Sequence, residues 1–187
     1  MPFWKEIPLV WKGGYFTTEV AFNSTSMNEF VRNDNSHYDL VIIELFYNEA
    51  LYMFAEKYKA PIVTICTMGF TQYIGEYMGN PLQLSYMPHE FMRTRGKLGL
   101  LDRLQNVYFT LYDLIGRQFV LLPRHEKLAR KHFSHLPDPK PTLRELENNV
   151  SLVLINTHYS MDTVRPLVPG IVEIGGVKVK KSKELPQ

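Results

Sequence analysis

From Tyr38 to Thr67 the chain reads YDLVIIELFYNEALYMFAEKYKAPIVTICT, and its hydrophobic period changes twice. Leu40 to Ile43 are four consecutive apolar residues. That run is too short for a helix and lacks the alternation of a half-solvated strand, so it predicts a strand covered on both faces, as in a parallel sheet. Asn48 is placed to cap a helix in which Ala50, Leu51, Phe54, Ala55 and Tyr58 share one face, with Glu56, Lys57 and Lys59 opposite. Pro61 ends that helix, and Ile62 to Cys66 form a second strand. Together these make a βαβ crossover, a unit of about thirty residues.

Before this unit, Phe3 to Phe22 are aromatic and apolar around Gly13-Gly14, which predicts two helical pieces parted at the glycines. Ser26 to Val31 continues as a short helix. After the unit, Met68 to Gly99 shows neither period, is dense in Phe70, Tyr73, Tyr77, Tyr86 and Met87, and is interrupted by glycine and proline. An irregular segment so rich in aromatics predicts loops lining an apolar pocket, against the plainer reading of aromatics covering a helix. Leu100 to Leu122 is the strongest helical stretch, with Leu101, Leu104, Val107, Tyr108, Leu111, Ile115, Phe119 and Leu122 at steps of three and four.

A basic helix follows from Arg124 to Phe133. Its His125 and His132, with His135, have no acidic or thiol partner at ligand spacing, so a solvated face is expected rather than a metal site. Thr142 and Glu145 form a capping box for a short helix ending near Asn148. Ser151 to Ile155 reads as a buried strand and Ile171 to Ile174 as a last short one. The outcome is α/β with an incomplete, Rossmann-like parallel sheet that leaves at least one edge open.

Composition narrows the chemistry. The 187 residues and 45% hydrophobic content suit one large domain or two small ones. A net charge of +2 is too mild to argue for nucleic acid, and the cluster Lys178, Lys180, Lys181 and Lys183 reads as a linker. The single cysteine, Cys66, makes neither a disulfide framework nor a zinc site and reads as a buried thiol. Asn23-Ser24-Thr25 and Asn149-Val150-Ser151 fit the glycosylation acceptor pattern, which matters only in a secretory compartment.

The amino terminus lacks the basic start and apolar run of a signal peptide, and Leu100 to Leu122 carries Asp102, Arg103, Asp113 and Arg117. No targeting or membrane-spanning segment is therefore expected within these residues. Dinucleotide and P-loop glycine patterns, a nucleophile elbow and a His-Glu-x-x-His zinc motif are all missing from the sequence. An α/β hydrolase using Cys66 is a poor reading, because no motif accompanies the thiol. Glu44 stands out, because it sits where the first strand runs out, and ligands of open α/β sheets bind beyond the carboxyl ends of strands. The plainer reading is a solvated loop acid.

Taken in order and spacing, Tyr38 to Glu44, Ala60-Pro61-Ile62-Val63, Gly79-Asn80-Pro81 with Ser85 to Pro88, Leu152 to Asn156, and Val168-Pro169-Gly170 through Glu173 to Val177 resemble the amino-terminal domain of animal, membrane-bound UDP-glycosyltransferases. The resemblance implies the later part of the acceptor-binding domain of a two-domain GT-B fold over residues 1–177, with 178–187 opening a linker to a UDP-sugar-binding domain. It implies inverting transfer of a hexosyl or glucuronosyl group from a UDP-sugar, a co-substrate rather than a cofactor, to a small lipophilic acceptor, with no metal. Family members work in the lumen of the endoplasmic reticulum and reach the membrane through segments expected to lie outside this chain.

In that family a histidine takes the acceptor proton and an acid orients it. Glu44 falls on the position of the acid, where aspartate is commoner, whereas none of the six histidines falls on the position of the base. The match also implies that Thr67 contacts donor or acceptor and that Phe70, Tyr73, Tyr77, Tyr86 and Met87 contribute to the acceptor pocket. It gives weight to Asn23 and Asn149 as glycosylation sites. On this reading the isolated chain is inactive. The competing expectation is a non-catalytic module that holds lipophilic ligands or pairs with another chain, including a homo-oligomer through its open edge.

Overall fold

Four parallel strands in the order β1-β2-β3-β4 form the sheet of the computed structural model, which describes residues 5–92, 97–160 and 163–178. The linker residues 179–187, with Lys180, Lys181 and Lys183, lie outside the described residues. β1 (Val41–Glu44) pairs with β2 (Ile62–Cys66), β2 with β3 (Val150–Ile155) and β3 with β4 (Ile171–Glu173), all parallel. The expected βαβ unit is present, its connection made by a 3₁₀ turn (Glu49–Tyr52) running into α3 (Met53–Tyr58).

Two local expectations in that unit are corrected. Asn48 does not cap the helix: its amide donates to the Glu44 carbonyl at 2.8 Å and its oxygen accepts from the Phe46 amide at 3.3 Å, so it ties off the turn that ends β1. The helix ends ahead of Pro61, at Lys59, whose backbone is left-handed with φ 52°. β1 is covered on one side only. Ile43 is buried, whereas Ile42 is 59% exposed, because β1 is an edge strand and no layer of the chain lies over that face.

The amino-terminal segment is one helix, α1 (Glu6–Asn23), rather than two pieces, and α2 (Thr25–Asn33) follows, capped by the Ser24 hydroxyl. The helix runs through Gly13-Gly14 because Gly14 meets the loop after β1. A Cβ there would stand 2.4 Å from the Tyr47 carbonyl oxygen, whereas Gly13 has nothing within 4 Å. Gly14→Ala is therefore expected to lower stability by about 1–3 kcal/mol through overpacking. Gly13→Ala is expected to raise it by roughly 0.5–1 kcal/mol, the helix cost of glycine. Urea midpoints of the pair provide the check: equal shifts would show that α1 does not sit against that loop.

The long connection between β2 and β3 carries α4 (Gln72–Met78), α5 (Leu100–Gly116), a π-helical turn (Arg117–Leu121), α6 (Leu122–His132) and α7 (Leu143–Asn148). α7 has the expected capping box, with the Glu145 amide donating to Thr142 Oγ1 at 3.2 Å and the Thr142 amide to Glu145 Oε2 at 2.7 Å. α4 contradicts the reading of Met68 to Gly99 as wholly irregular. Its Tyr73, Ile74 and Tyr77 are buried. The short helix was hidden because Gly75 and Gly79 interrupt its pattern, although Gly79, with φ 69°, is what terminates it.

α6 corrects a further expectation, since His125 and His132 face the core rather than solvent. The Ala50 amide donates to His125 Nδ1 at 3.3 Å, and His132 stacks on Phe22 at 5.1 Å between centroids. At the π turn, Arg117 is only 2% exposed and is held by two buried acids. Its Nη2 donates to Glu49 Oε1 at 2.9 Å, its Nη1 to Glu147 Oε2 at 3.1 Å, and Nη2 also to Glu147 Oε1. Its guanidinium also lies 4.6 Å from the centre of the Tyr73 ring. A desolvated cation with two carboxylates thus joins the connection after β1, the start of α6 and α7 in the centre of the fold.

Candidate functional site

At the carboxyl edge of the sheet, all four strands end in polar side chains: Glu44 on β1, Thr67 after β2, Asn156 and Thr157 after β3, and Glu173 on β4. Parallel strands bring these ends together, and hydrogen bonds link them. Thr67 Oγ1 donates to Glu44 Oε1 at 2.7 Å, Asn156 Nδ2 donates to the Thr67 carbonyl at 3.2 Å, and Thr157 Oγ1 donates to Glu173 Oε1 at 2.9 Å. Sequence reasoning reached Glu44 and Thr67 but missed Asn156, Thr157 and Glu173. The signal was the one that found Glu44, a polar residue directly after the apolar run of a buried strand.

Glu44 is exposed, and no cation among the described residues pairs with it; nothing among them donates to its Oε2. It lies at a cavity of about 500 Å³ along the open edge of β1, whose other walls include Phe30, Leu40, Ile42, Leu51 and Phe54. A carboxylate in this setting is held on one oxygen by a neutral hydroxyl and keeps the other for an incoming donor. An imidazole N–H or a sugar hydroxyl would each serve. None of the described histidines pairs with it.

Of the other residues singled out in the sequence, Phe70 is half-buried, with the Arg165 guanidinium 4.6 Å from its ring centre, and Tyr86 is exposed. Tyr73, Tyr77 and Met87 are buried in the body of the domain, Tyr73 beneath Arg117 and beside Tyr47, and the structure does not gather the five around a single opening. The reason is α4, whose helical turn sends Tyr73 and Tyr77 inward. Asn23, at the end of α1, and Asn149, in the turn before β3, are both exposed.

Cys66 is buried at the end of β2, and burial pushes its thiol up to about 11. A thiol that stays protonated at neutral pH is a poor nucleophile, which removes support from the hydrolase reading. Among the described residues one group could offer cation ligands: His89, Glu90 and Asp113, within 4.8 Å of one another. His89 Nδ1 accepts the Phe91 amide at 3.3 Å, which leaves the ring proton on Nε2, facing Asp113 Oδ2 at 3.6 Å. The proton occupies the direction a cation would need, so the pair reads as a lock between the 80s loop and α5. No helix among the described residues is long and apolar enough to cross a membrane.

The model of the family described as "UDP-glucoronosyl and UDP-glucosyl transferase" matches residues 15–187. UDP-glycosyltransferase UGT5 of Dactylopius coccus is 32% identical over 83% of this chain and 29% of its own length. UDP-glucosyltransferase 2 of the same insect is 36% identical over 80% of this chain and 28% of its own. UDP-glucuronosyltransferase 3A1 of Bos taurus is 29% identical over 82% of this chain and 28% of its own. The chain thus spans less than a third of the length of each of these three relatives. No solved structure gives a significant match. A family match over nearly the whole sequence, on a parallel α/β sheet with polar residues at its carboxyl edge, means that this chain belongs to the UDP-glycosyltransferase family.

Proposed function

We propose that this chain is part of the acceptor-binding domain, residues 1–177 with 178–187 opening a linker, of an enzyme that transfers a hexosyl or glucuronosyl group from a UDP-sugar to the hydroxyl of a small lipophilic acceptor. In an inverting displacement the acceptor oxygen bonds to the anomeric carbon as the bond from that carbon to the UDP oxygen breaks. The hydroxyl proton passes to an imidazole, and a carboxylate behind the imidazole orients it and stabilises its cationic form. Glu44 takes the part of that carboxylate, and the imidazole is assigned to a segment outside this sequence. The observation that carries the reading is the 2.7 Å hydrogen bond by which Thr67 fixes Glu44 at the mouth of an apolar cavity.

The supporting chemistry is consistent. An apolar wall with few polar groups suits a lipophilic alcohol or phenol. Within the aromatic segment, Phe70 and Tyr86 present surface to a ligand, with Tyr73, Tyr77 and Met87 behind them. Placement of the whole enzyme at the endoplasmic reticulum membrane, with glycans on the exposed Asn23 and Asn149, belongs to the same proposal. Calorimetric titration of the chain tests it: 1-naphthol is expected to bind, while UDP-glucose gives no heat and no product forms. Micromolar binding of UDP-glucose would relocate the donor site and overturn the division of labour.

A further inference from the structure

α5 is built inside out. Its buried face is polar: Asn106, Thr110 and Asp113 are at most 1% exposed. Its apolar residues point to water, with Leu101 at 80%, Leu104 at 60%, Tyr108 at 58%, Leu111 at 49%, Ile115 at 55% and Phe119 at 74% exposure. The rotation of the helix is fixed by specific bonds. Asn106 Nδ2 donates to the carbonyls of Leu84 at 2.8 Å and Met87 at 2.7 Å, its Oδ1 accepts the His89 amide at 2.8 Å, and Trp11 Nε1 donates to Asp113 Oδ1 at 3.0 Å. Turning α5 to bury the leucines would leave these polar groups unpaired, a cost of about 1–3 kcal/mol for each.

We propose that the outward face of α5 is a two-fold interface with a second copy of this chain, a surface independent of the transferase reading. Three observations select that occupant. Leu101, Leu104, Tyr108, Leu111 and Ile115 follow one another at steps of three, four, three and four, the a/d spacing of a seam that packs against another helix. The positions flanking the seam are Gln105, Val107, Tyr112 and Leu114, all uncharged, so two identical faces meet without like-charge repulsion. A helix lying in a lipid surface is instead bordered by lysine and arginine, which these flanks lack. Finally, the exposed side chains leave on the order of 900 Å² of apolar surface in water. That exceeds the roughly 300–600 Å² of the largest patch on a typical monomer and matches the ~800 Å² each partner contributes to a stable complex. Tyr108 lies mid-seam, where the two-fold axis would pass.

The test uses the 187-residue chain. Sedimentation equilibrium across the micromolar range is expected to show a dimer, and the double variant Leu104→Glu/Leu111→Glu to raise its dissociation constant by more than about a hundredfold. The urea midpoint should stay within error, since both side chains are already exposed. Tyr108→Cys should yield a disulfide-linked dimer on mild oxidation, whereas Phe16→Cys, exposed on α1, should not. A chain that is monomeric at every concentration overturns the proposal, as does a dimer that survives the double variant. A monomer that floats with phosphatidylcholine–phosphatidylserine vesicles, and ceases to float when the glutamates are introduced, overturns it too, assigning the face to a lipid surface.

Discussion

Replacing Arg117 with alanine is expected to unfold the protein at ambient temperature, or to lower its stability by at least about 3–5 kcal/mol, the cost of removing one partner from a buried ion pair. The reason is what remains behind. Glu49 and Glu147 are 3% and 0% exposed, and both rely on the guanidinium for charge compensation. His125 faces Glu49 at 3.4 Å, but burial holds its pKa below the usual imidazole value, which keeps it neutral. A loss of that size is a large part of the roughly 5–15 kcal/mol that holds a domain folded. The triple variant Arg117→Met/Glu49→Gln/Glu147→Gln removes the charges together and is expected to recover most of the loss. Urea unfolding followed by circular dichroism reads both variants. A shift below about 1 kcal/mol for Arg117→Ala would place the guanidinium in water rather than in the core.

Glu44→Gln is expected to cost activity rather than stability. The measurement needs an active enzyme, made by joining this chain to the flanking segments of the Dactylopius coccus UDP-glycosyltransferase. There, loss of the carboxylate should lower kcat by about 10³–10⁴ with little change in acceptor KM, as when the acid behind a catalytic histidine is neutralised. The amide keeps the size of the side chain, and its oxygen can still accept the Thr67 hydrogen bond, so the effect isolates the charge. Glu44→Asp should stay within roughly tenfold of the parent, since it restores a carboxylate one methylene shorter. Activity within a factor of about three after Glu44→Gln would take Glu44 out of the proton relay, and the family assignment would stand without it.

Local pattern carried a good part of the architecture. The strands, the βαβ unit, the capping box of α7 and the acid at the end of β1 follow from residues close in sequence, because strand period, caps and turns depend on neighbours. Where the reading failed, a distant partner had overridden the local signal. Gly13-Gly14 reads as a break, yet α1 is continuous because Gly14 admits a backbone from the far side of the chain. Tyr73 and Tyr77 read as pocket lining, yet they sit on a helix whose glycines blur its period.

α5 and Arg117 show the division most clearly. The sequence by itself determined that Leu101 to Phe119 share one face of a helix, that Glu44 ends a strand, and that an arginine and two glutamates exist to be matched. Only the tertiary structure decided that the leucine face turns outward, that Thr67 reaches Glu44, and that Arg117 enters the core between Glu49 and Glu147, 68 and 30 residues away. Periodicity states which side chains lie together on an element, but the side that meets the core is settled by where buried polar groups find partners, and those partners lie far along the chain.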